Sequence, residues 1–172
     1  MIRYLKFTGI ILAIVILIAC SAPAPSDTSK LTSSSIIVKL NIEELVAQSD
    51  WIVIGVVTEK KSLWDTQHSQ IHTLVILAVE EWVKGKPKGN EIIIKIPGGQ
   101  VGEVSQRVGS APSFRIDEEV LVFLQSQDGD TIRVVGDQQG KLVIENDKIA
   151  GSDISLTELI EQIKAQSSKI SR

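Results

Sequence analysis

The chain of 172 residues contains one cysteine, two histidines and only 4% aromatic residues. A single cysteine excludes an intrachain disulfide, so a folded domain must be stable on its apolar core alone. The formal net charge of -3 excludes the strongly basic surface that is typical of nucleic-acid-binding proteins. Because 43% of the residues are hydrophobic, we expect one domain of ordinary size with a real core and no nucleic-acid partner.

Motifs for phosphate binding and for serine hydrolysis are also missing. The glycine-rich stretch Pro97–Gly102 lacks a following Gly-Lys-Ser/Thr and a helical pattern, so its glycines predict tight turns with positive φ angles. Ser105, Ser110 and Ser113 do not lie in a Gly-x-Ser-x-Gly elbow. With two histidines and no free cysteine, a nucleophilic triad is not expected either. We therefore predict no cofactor.

The amino-terminal residues predict a cleaved leader, residues 1–19. Arg3 and Lys6 precede the apolar run Phe7–Ala19, which is shorter than the roughly 20 residues needed to span a bilayer. The run ends in Leu-Ile-Ala followed by Cys20, which resembles the lipobox of bacterial lipoproteins. This resemblance implies cleavage before Cys20, acylation of Cys20, and a lipid anchor on the extracytoplasmic side of a bacterial membrane.

A flexible tether is predicted at residues 20–35, because Ser21–Ser35 is a low-complexity stretch almost free of large apolar groups. Such a stretch reaches roughly 20 Å. Residues 36–172 are expected to form the single folded domain, held close to the membrane surface.

A mainly β pattern runs through this domain. The β-branched run Trp51–Thr58 predicts a strand that is buried on both faces or lies in a closed barrel, and Gly55 within it predicts a bulge or a sharp bend. The polar residues 59–70 predict a loop. Further strands are predicted at Ile36–Leu40, Ile71–Val83, Glu91–Ile96, Glu119–Gln125, Thr131–Val135, Lys141–Glu145 and Lys148–Ala150.

Two helices are predicted to flank the strands. Asn41 and Glu44 fit a capping box at the start of a helix over Asn41–Gln48. A second helix is predicted from Ser155, with an apolar stripe through Leu159 and Ile163 and fraying from Ser167. Together these patterns predict a small antiparallel OB-like barrel of five to six strands, with a short N-terminal helix and a C-terminal amphipathic helix.

Asp65, His68 and His72 form the only group with metal-ligand chemistry. Histidines four residues apart share a face on a helix, but in a loop that leads into a strand this spacing guarantees nothing. A structural zinc needs four protein ligands and a catalytic zinc needs three with water. One interpretation is a metal-dependent hydrolase that uses these three residues, and the other is a pair of exposed loop histidines without a metal.

The long connection from Pro97 to Leu124 has two compatible interpretations. In one, Pro112 and Phe114 plug the end of the barrel while the polar side chains are solvated. In the other, the polar side chains present a recognition surface, because binding residues concentrate on loops held by a rigid scaffold. The candidate recognition residues are Gln100, Glu103, Gln106, Arg107, Arg115, Gln139 and Lys141.

Several short motifs are spread over residues 45–143. They are Ser49–Val57, Val79–Gly85, Ile96–Gly99, Gly109–Phe114, Glu118–Leu124 and Gln139–Lys141. Together they resemble a group of bacterial exported lipoproteins with a small β-barrel domain. The resemblance implies a fold and an envelope location but no activity.

The order of strand, glycine, strand and Glu-Glu-Trp-Val-Lys-Gly is also similar to the netrin-like domain of tissue inhibitors of metalloproteinases, which is an OB-type barrel. Those inhibitors chelate the protease zinc with a free amino-terminal cysteine and depend on disulfides. Here Cys20 is predicted to be acylated and no second cysteine exists. The likeness therefore implies the fold alone.

The sequence leads us to expect a non-catalytic binding module that is lipid-anchored at the cell envelope and contacts the membrane and an envelope protein. The rival hypotheses are the metal-dependent hydrolase and a purely structural envelope protein.

Overall fold

The computed structural model describes residues 41–85, 89–128 and 131–170. The predicted leader, the Cys20 lipidation site, the predicted tether and the predicted strand Ile36–Leu40 lie outside these ranges. So do parts of two predicted turns, at residues 86–88 and 129–130.

Both predicted helices are present. Helix α1, Ile42–Gln48, begins at a capping box in which Asn41 Oδ1 accepts from the Glu44 amide and the Asn41 amide donates to the Glu44 carboxylate, each at 2.9 Å. Helix α2, Leu156–Ile170, begins where Ser155 Oγ accepts from the Glu158 amide at 3.2 Å. The predicted fraying from Ser167 is wrong, because α2 continues to Ile170.

Nine strands and one 3-10 turn occupy most of the remaining described chain. The 3-10 turn is Asp137–Gly140. The strands are β1 Trp51–Trp64, β2 Ile71–Lys84, β3 Glu91–Pro97, β4 Gly99–Val101, β5 Val104–Gln106, β6 Glu119–Gln127, β7 Thr131–Val134, β8 Lys141–Glu145 and β9 Lys148–Ile149.

Five of the strands close into a ring in the order β1, β2, β3, β7, β6 and back to β1. Four of the five pairings are antiparallel, whereas β3 and β7 pair in parallel through Ile94 and Ile132. A ring with an odd number of strands cannot alternate direction throughout, so one parallel pairing is required. The prediction of a mainly β fold with two helices is confirmed, but the sheet is mixed rather than antiparallel.

Strand β1 is longer than predicted. It continues through Trp64, so the predicted loop over residues 59–70 is wrong for its first half. The extension forms because β2 continues opposite it, with Lys60 paired to Val75 and Ser62 paired to Thr73. The Ser62 and Thr73 hydroxyl oxygens lie 2.9 Å apart, which satisfies polar groups that face the sheet interior.

Gly55 lies at an irregularity in the β1–β2 ladder, where the register shifts between Ile54 and Gly55. A Cβ at Gly55 would lie 2.1 Å from the carbonyl oxygen of Ala78, which is backbone and cannot rotate away. Gly55 therefore lets β1 pair closely with β2 on one edge while its other edge pairs with β6. The irregularity expected at this glycine is present, and the residue left out of the pairing is Glu80 of β2, opposite Ile54 and Gly55.

Two apolar cores lie on opposite faces of β1 and β6. Ile52 and Phe123 pack with the two helices in the first core. Val53 and Val122 pack with β2, β3 and β7 in the second core. Since neighbouring residues of a strand point to opposite faces, β1 and β6 contribute to both cores, and the expectation that β1 is buried on both faces is confirmed.

Lys84 joins the end of α1 to the end of β2. Its ammonium donates to the carbonyl oxygens of Val46 and Ser49, each at 2.7 Å. Burial lowers the pKa of Lys84, and the nearby negative charge of Asp50 partly opposes this shift. The cation thus satisfies carbonyl groups that the last turn of a short helix leaves without partners.

We expect the Gly55→Ala substitution to lower the free energy of unfolding by about 1–3 kcal/mol, because the new methyl group would overlap the Ala78 carbonyl. Denaturant unfolding measures the loss. Gly109→Ala is the matched control, since it has open space around its position, and its effect should stay within about 1 kcal/mol. Equal effects of the two substitutions would contradict the close approach at Gly55.

Candidate functional site

The segment that follows β3 folds back over one end of the ring. Its first part is the β4–β5 hairpin, in which Gly99 pairs with Gln106 and Val101 pairs with Val104. Gly98, Gly99 and Gly102 have positive φ angles of 88°, 141° and 59°. The predicted role of these glycines in tight turns is confirmed, whereas the hairpin itself was not predicted.

Side-chain hydrogen bonds attach this hairpin to β2. Thr73 Oγ1 donates to the Gly98 carbonyl at 2.8 Å, and the Gln106 side-chain oxygen accepts from the Ile71 amide at 2.7 Å. A Cβ at Gly99 would lie 2.4 Å from Thr73 Oγ1, so only glycine allows the hairpin to approach the strand this closely. Gln106 is therefore a structural contact as well as a candidate recognition residue.

The second part of the segment is anchored by Phe114. Its ring is 2% exposed and belongs to the second core, in agreement with the prediction that it plugs the ring. Lys60 donates to the Phe114 carbonyl, and the Lys141 ammonium lies 4.8 Å from the centre of the Phe114 ring. Two cations from separate strands thus hold this short stretch in place.

Lys141 also forms an ion pair with Glu118 at 2.6 Å, with the two side chains only 8% and 10% exposed. The same ammonium donates to the Ser113 carbonyl, and the Glu118 carboxylate accepts from the Arg115 amide at 3.0 Å. Lys141 and Glu118 therefore close the segment 113–118 into a tight loop. The charge of Lys141, a candidate recognition residue, is engaged within the chain.

An open cavity of about 250 Å³ lies between this segment and the end of the ring, and we call it the loop cavity. Its floor contains the buried side chains of Val75, Ile96 and Phe114. Fifteen residues line it, and Lys60 and Arg107 are the only charged ones among them. The cavity combines an apolar floor with two cations and several hydroxyl groups.

A second cavity of about 430 Å³, the hairpin cavity, lies where β3 and β7 diverge beyond their single pairing. Residues from β2, β3 and the β6–β7 hairpin line it, and both charge signs are present, with Lys95 and Arg133 against Asp128 and Asp137. The two cavities share the side chains of Ile96, Pro97 and Pro112. We call these two adjoining cavities together the depression.

The candidate recognition residues occupy different places around this depression. Gln106 and Arg107 line the loop cavity. Gln100 and Glu103 are exposed on the β4–β5 hairpin, and Arg115 is exposed on the segment held by Lys141. Gln139 lies in the 3-10 turn that precedes β8. Contact between these residues and a ligand stays a prediction.

The predicted segment is joined to that 3-10 turn by Gln138. Its side-chain nitrogen donates to the Gly109 carbonyl at 2.7 Å, and its amide donates to the Ser110 carbonyl at 3.2 Å. This contact brings the turn that contains Gln139 beside the loop.

Two of the three candidate metal ligands, Asp65 and His68, lie in the turn between β1 and β2, and the third, His72, lies in β2. Asp65 accepts hydrogen bonds from the Ser69 hydroxyl at 2.6 Å and the Ser69 amide at 2.7 Å, and the hydroxyl bond is the main reason that the Asp65 pKa is lowered. The His68 ring stacks on Trp64 with 6.2 Å between centroids. Within residues 41–85, 89–128 and 131–170, no group of three or more His, Cys, Asp or Glu side chains is placed to hold a metal.

His72 lies apart from that turn and lines the hairpin cavity. Burial lowers the His72 pKa, and the positive charge of Lys95 lowers it further, while Asp65 opposes the shift. These two influences favour the neutral form of His72, and a neutral imidazole can both donate and accept a hydrogen bond.

Sequence reasoning missed several lining residues. Lys60 belongs to the part of β1 that was predicted as loop, and Lys95 and Arg133 carried no motif. Their convergence depends on the closure of the ring, which brings β3 beside β7. The β4–β5 hairpin had a usable local signal, because a Gly-Glu pair separates Val101 from Val104.

Comparison with known proteins adds no relative, since neither the protein-family models nor the curated proteins yield a match to this chain.

We expect Lys141→Met to lower the free energy of unfolding by about 3–5 kcal/mol, because it leaves the Glu118 carboxylate buried without its cation. Lys148→Met is the matched control on an exposed lysine, with an expected change within about 0.5 kcal/mol. Chemical denaturation measures both variants. If the second substitution Glu118→Leu recovered none of the stability lost in Lys141→Met, the proposed coupling of the pair would be wrong.

Proposed function

We propose that this protein is a non-catalytic binding module of the bacterial cell envelope, anchored to the membrane by lipid on Cys20, and that it binds a segment of a protein partner at the loop end of an OB-like barrel. The observation that carries the proposal is the depression formed by the loop cavity and the hairpin cavity.

The shape of this depression favours binding. Ligand sites are concave, largely apolar and equipped with a few polar groups that fix orientation. The loop cavity has an apolar floor formed by the core and a polar wall formed by the hairpin and the segment after it. Its walls are held by the Thr73, Gln106 and Lys141 hydrogen bonds, so the site is preformed on a rigid support.

The ring supports the interpretation as an OB-like barrel. OB-folds are five-stranded, partly open barrels whose ligands bind over strands 2 and 3 and the adjoining loops. The five ring strands follow a closed circuit of pairings that is weakest between β3 and β7. The hairpin cavity takes His72 from β2 and Lys95 from β3, which is the corresponding side of the ring.

The anchor rests on the sequence of residues 1–20. Its basic start, short apolar run and terminal Ile-Ala-Cys support lipid attachment at Cys20. Neither of the helices in the described ranges is long and apolar enough to cross a membrane. Two or more acyl chains on Cys20 would hold the protein on a bilayer stably, whereas one acyl chain gives only marginal binding.

Site-specific photo-cross-linking in intact cells tests the binding site. A photoreactive residue replaces Val108, which is 37% exposed and lines the loop cavity. We expect a protein adduct of one defined mass. Thr157, exposed on α2, is the matched control position and should give no such adduct. Absence of an adduct from position 108, or identical adducts from both positions, would contradict the proposed site.

Mass spectrometry of the protein extracted from membranes tests the anchor. We expect the mature chain to begin at Cys20 and to carry a diacylglycerol thioether and an acylated amino terminus. The Cys20→Ser variant should keep its leader and lack both modifications. An uncleaved Met1 or an unmodified Cys20 in the parent protein would refute the anchor while leaving the cross-linking test untouched.

A further inference from the structure

From the charges around the loop cavity, we infer that the cavity binds a carboxylate group of an acidic protein segment and that Arg107 is its main recognition residue. This inference rests on the proposed binding function and specifies the chemistry of the ligand.

The charged residues that line the loop cavity are all positive. The chain as a whole carries a formal charge of -3, yet none of the fifteen residues around the loop cavity is acidic. Lys60 and Arg107 supply two positive charges there. A concave site with charge of one sign attracts ligands of the opposite sign and rejects those of the same sign.

The side chain of Arg107 is available to bind a ligand. Its guanidinium makes no hydrogen bond or ion pair within the described ranges of the chain, and the residue is exposed. In contrast, Lys60 is partly engaged by the Phe114 carbonyl, and Lys141 is engaged by Glu118 and Ser113. A planar guanidinium with free donors matches the two oxygens of a carboxylate in a bidentate geometry.

The uncharged lining and the size of the loop cavity fit a small acidic ligand group. Beside the two cations the cavity presents the hydroxyl groups of Ser105 and Ser113, and below them the apolar floor of Val75, Ile96 and Phe114. A volume of about 250 Å³ is smaller than the 300–1,000 Å³ typical of drug-sized ligands. It suits one acidic side chain with an apolar neighbour.

The surface around the loop cavity favours a protein segment over other anionic partners. The loop cavity and the hairpin cavity share Ile96, Pro97 and Pro112, so a peptide that crosses these residues would contact both cavities. The hairpin cavity contains Asp128 and Asp137 as well as Lys95 and Arg133. A mixed surface of this kind does not favour an anionic membrane, which needs a cluster of cations. It suits a peptide that is acidic at one end only.

Nuclear magnetic resonance of the full chain in detergent tests the inference, with the arginine side-chain Nε signals as the readout. The probes are the acetylated, amidated peptide Ser-Ser-Leu-Glu, which is acidic at one end only, its Ser-Ser-Leu-Gln counterpart, and succinate. We expect the Glu peptide to shift the Arg107 signal saturably. The Gln peptide should bind at least about tenfold more weakly, as should succinate. Absence of a saturable shift with the Glu peptide would overturn the inference.

Two variants identify the residue. Arg107→Gln should lower the affinity for the Glu peptide at least about tenfold. Lys61→Gln removes one positive charge from an exposed residue of β1 that lines neither cavity, and should change the affinity by less than about twofold. If both variants lost the same affinity, only the total charge of the protein would matter, and the assignment to Arg107 would be wrong. Equal affinity for succinate and the Glu peptide would assign the cavity to a small carboxylate instead of a protein segment.

The cross-linking experiment at position 108 separates the two proposals. If Arg107→Gln leaves the adduct yield unchanged, the carboxylate inference fails and the binding module stands. If the parent chain itself gives no adduct, the proposed function fails. Loss of the adduct in Arg107→Gln, with retention in Lys61→Gln, supports both.

Discussion

The double pairing of β1 is the constraint on which the rest of the structure depends. One edge of β1 pairs with β2 along most of its length, and the other edge pairs with β6 over Trp51–Val56. This closes a ring of five strands, and an odd ring must contain one parallel pairing. That pairing, between β3 and β7, is limited to Ile94 and Ile132, and the two strands diverge beyond it. The hairpin cavity therefore lies beside the one parallel pairing of the ring.

Lysine side chains fix the irregular parts of this fold, in a chain whose one cysteine cannot form an internal cross-link. Lys84 holds the end of α1, Lys60 holds Phe114, and Lys141 holds the segment around Ser113 and Glu118. In each case the ammonium reaches a backbone carbonyl that has no partner in a helix or a sheet. An ammonium has three donors and a long flexible stem, so one side chain can satisfy two or three acceptors at once. Their partial burial excludes competing water.

The helices and most strands could be predicted because their signals are local. The Asn41 and Glu44 capping box and the β-branched run of β1 need no information from distant residues. The extension of β1 through Trp64 could not be predicted this way. Lys60 and Ser62 face inwards at the end of the ring, where partners from the loop and from β2 satisfy them. Without knowledge of those partners, the sequence pattern of a strand with polar residues at inward positions cannot be distinguished from that of a loop.

Some residues of the candidate site could also be predicted from the sequence, and others could not. Arg107 and Gln106 could be selected because they lie in one conspicuous loop, whereas Lys95 and Arg133 come from strands 38 positions apart in sequence and meet only after ring closure. The mixed sheet was missed because the direction of β7 beside β3 depends on the whole circuit. The sequence motifs for β3 and β7 are the same whether they pair in parallel or not.

The sharing of β1 and β6 between two apolar cores has a consequence for how the domain comes apart. Successive residues of these strands belong to different cores, as Ile52 and Val53 or Val122 and Phe123 illustrate. Detaching the helices would expose one face of the strands that line the ring, and opening the ring would remove the surface on which the helices pack. Because each half provides the packing surface of the other, we expect the described domain to unfold in one cooperative transition.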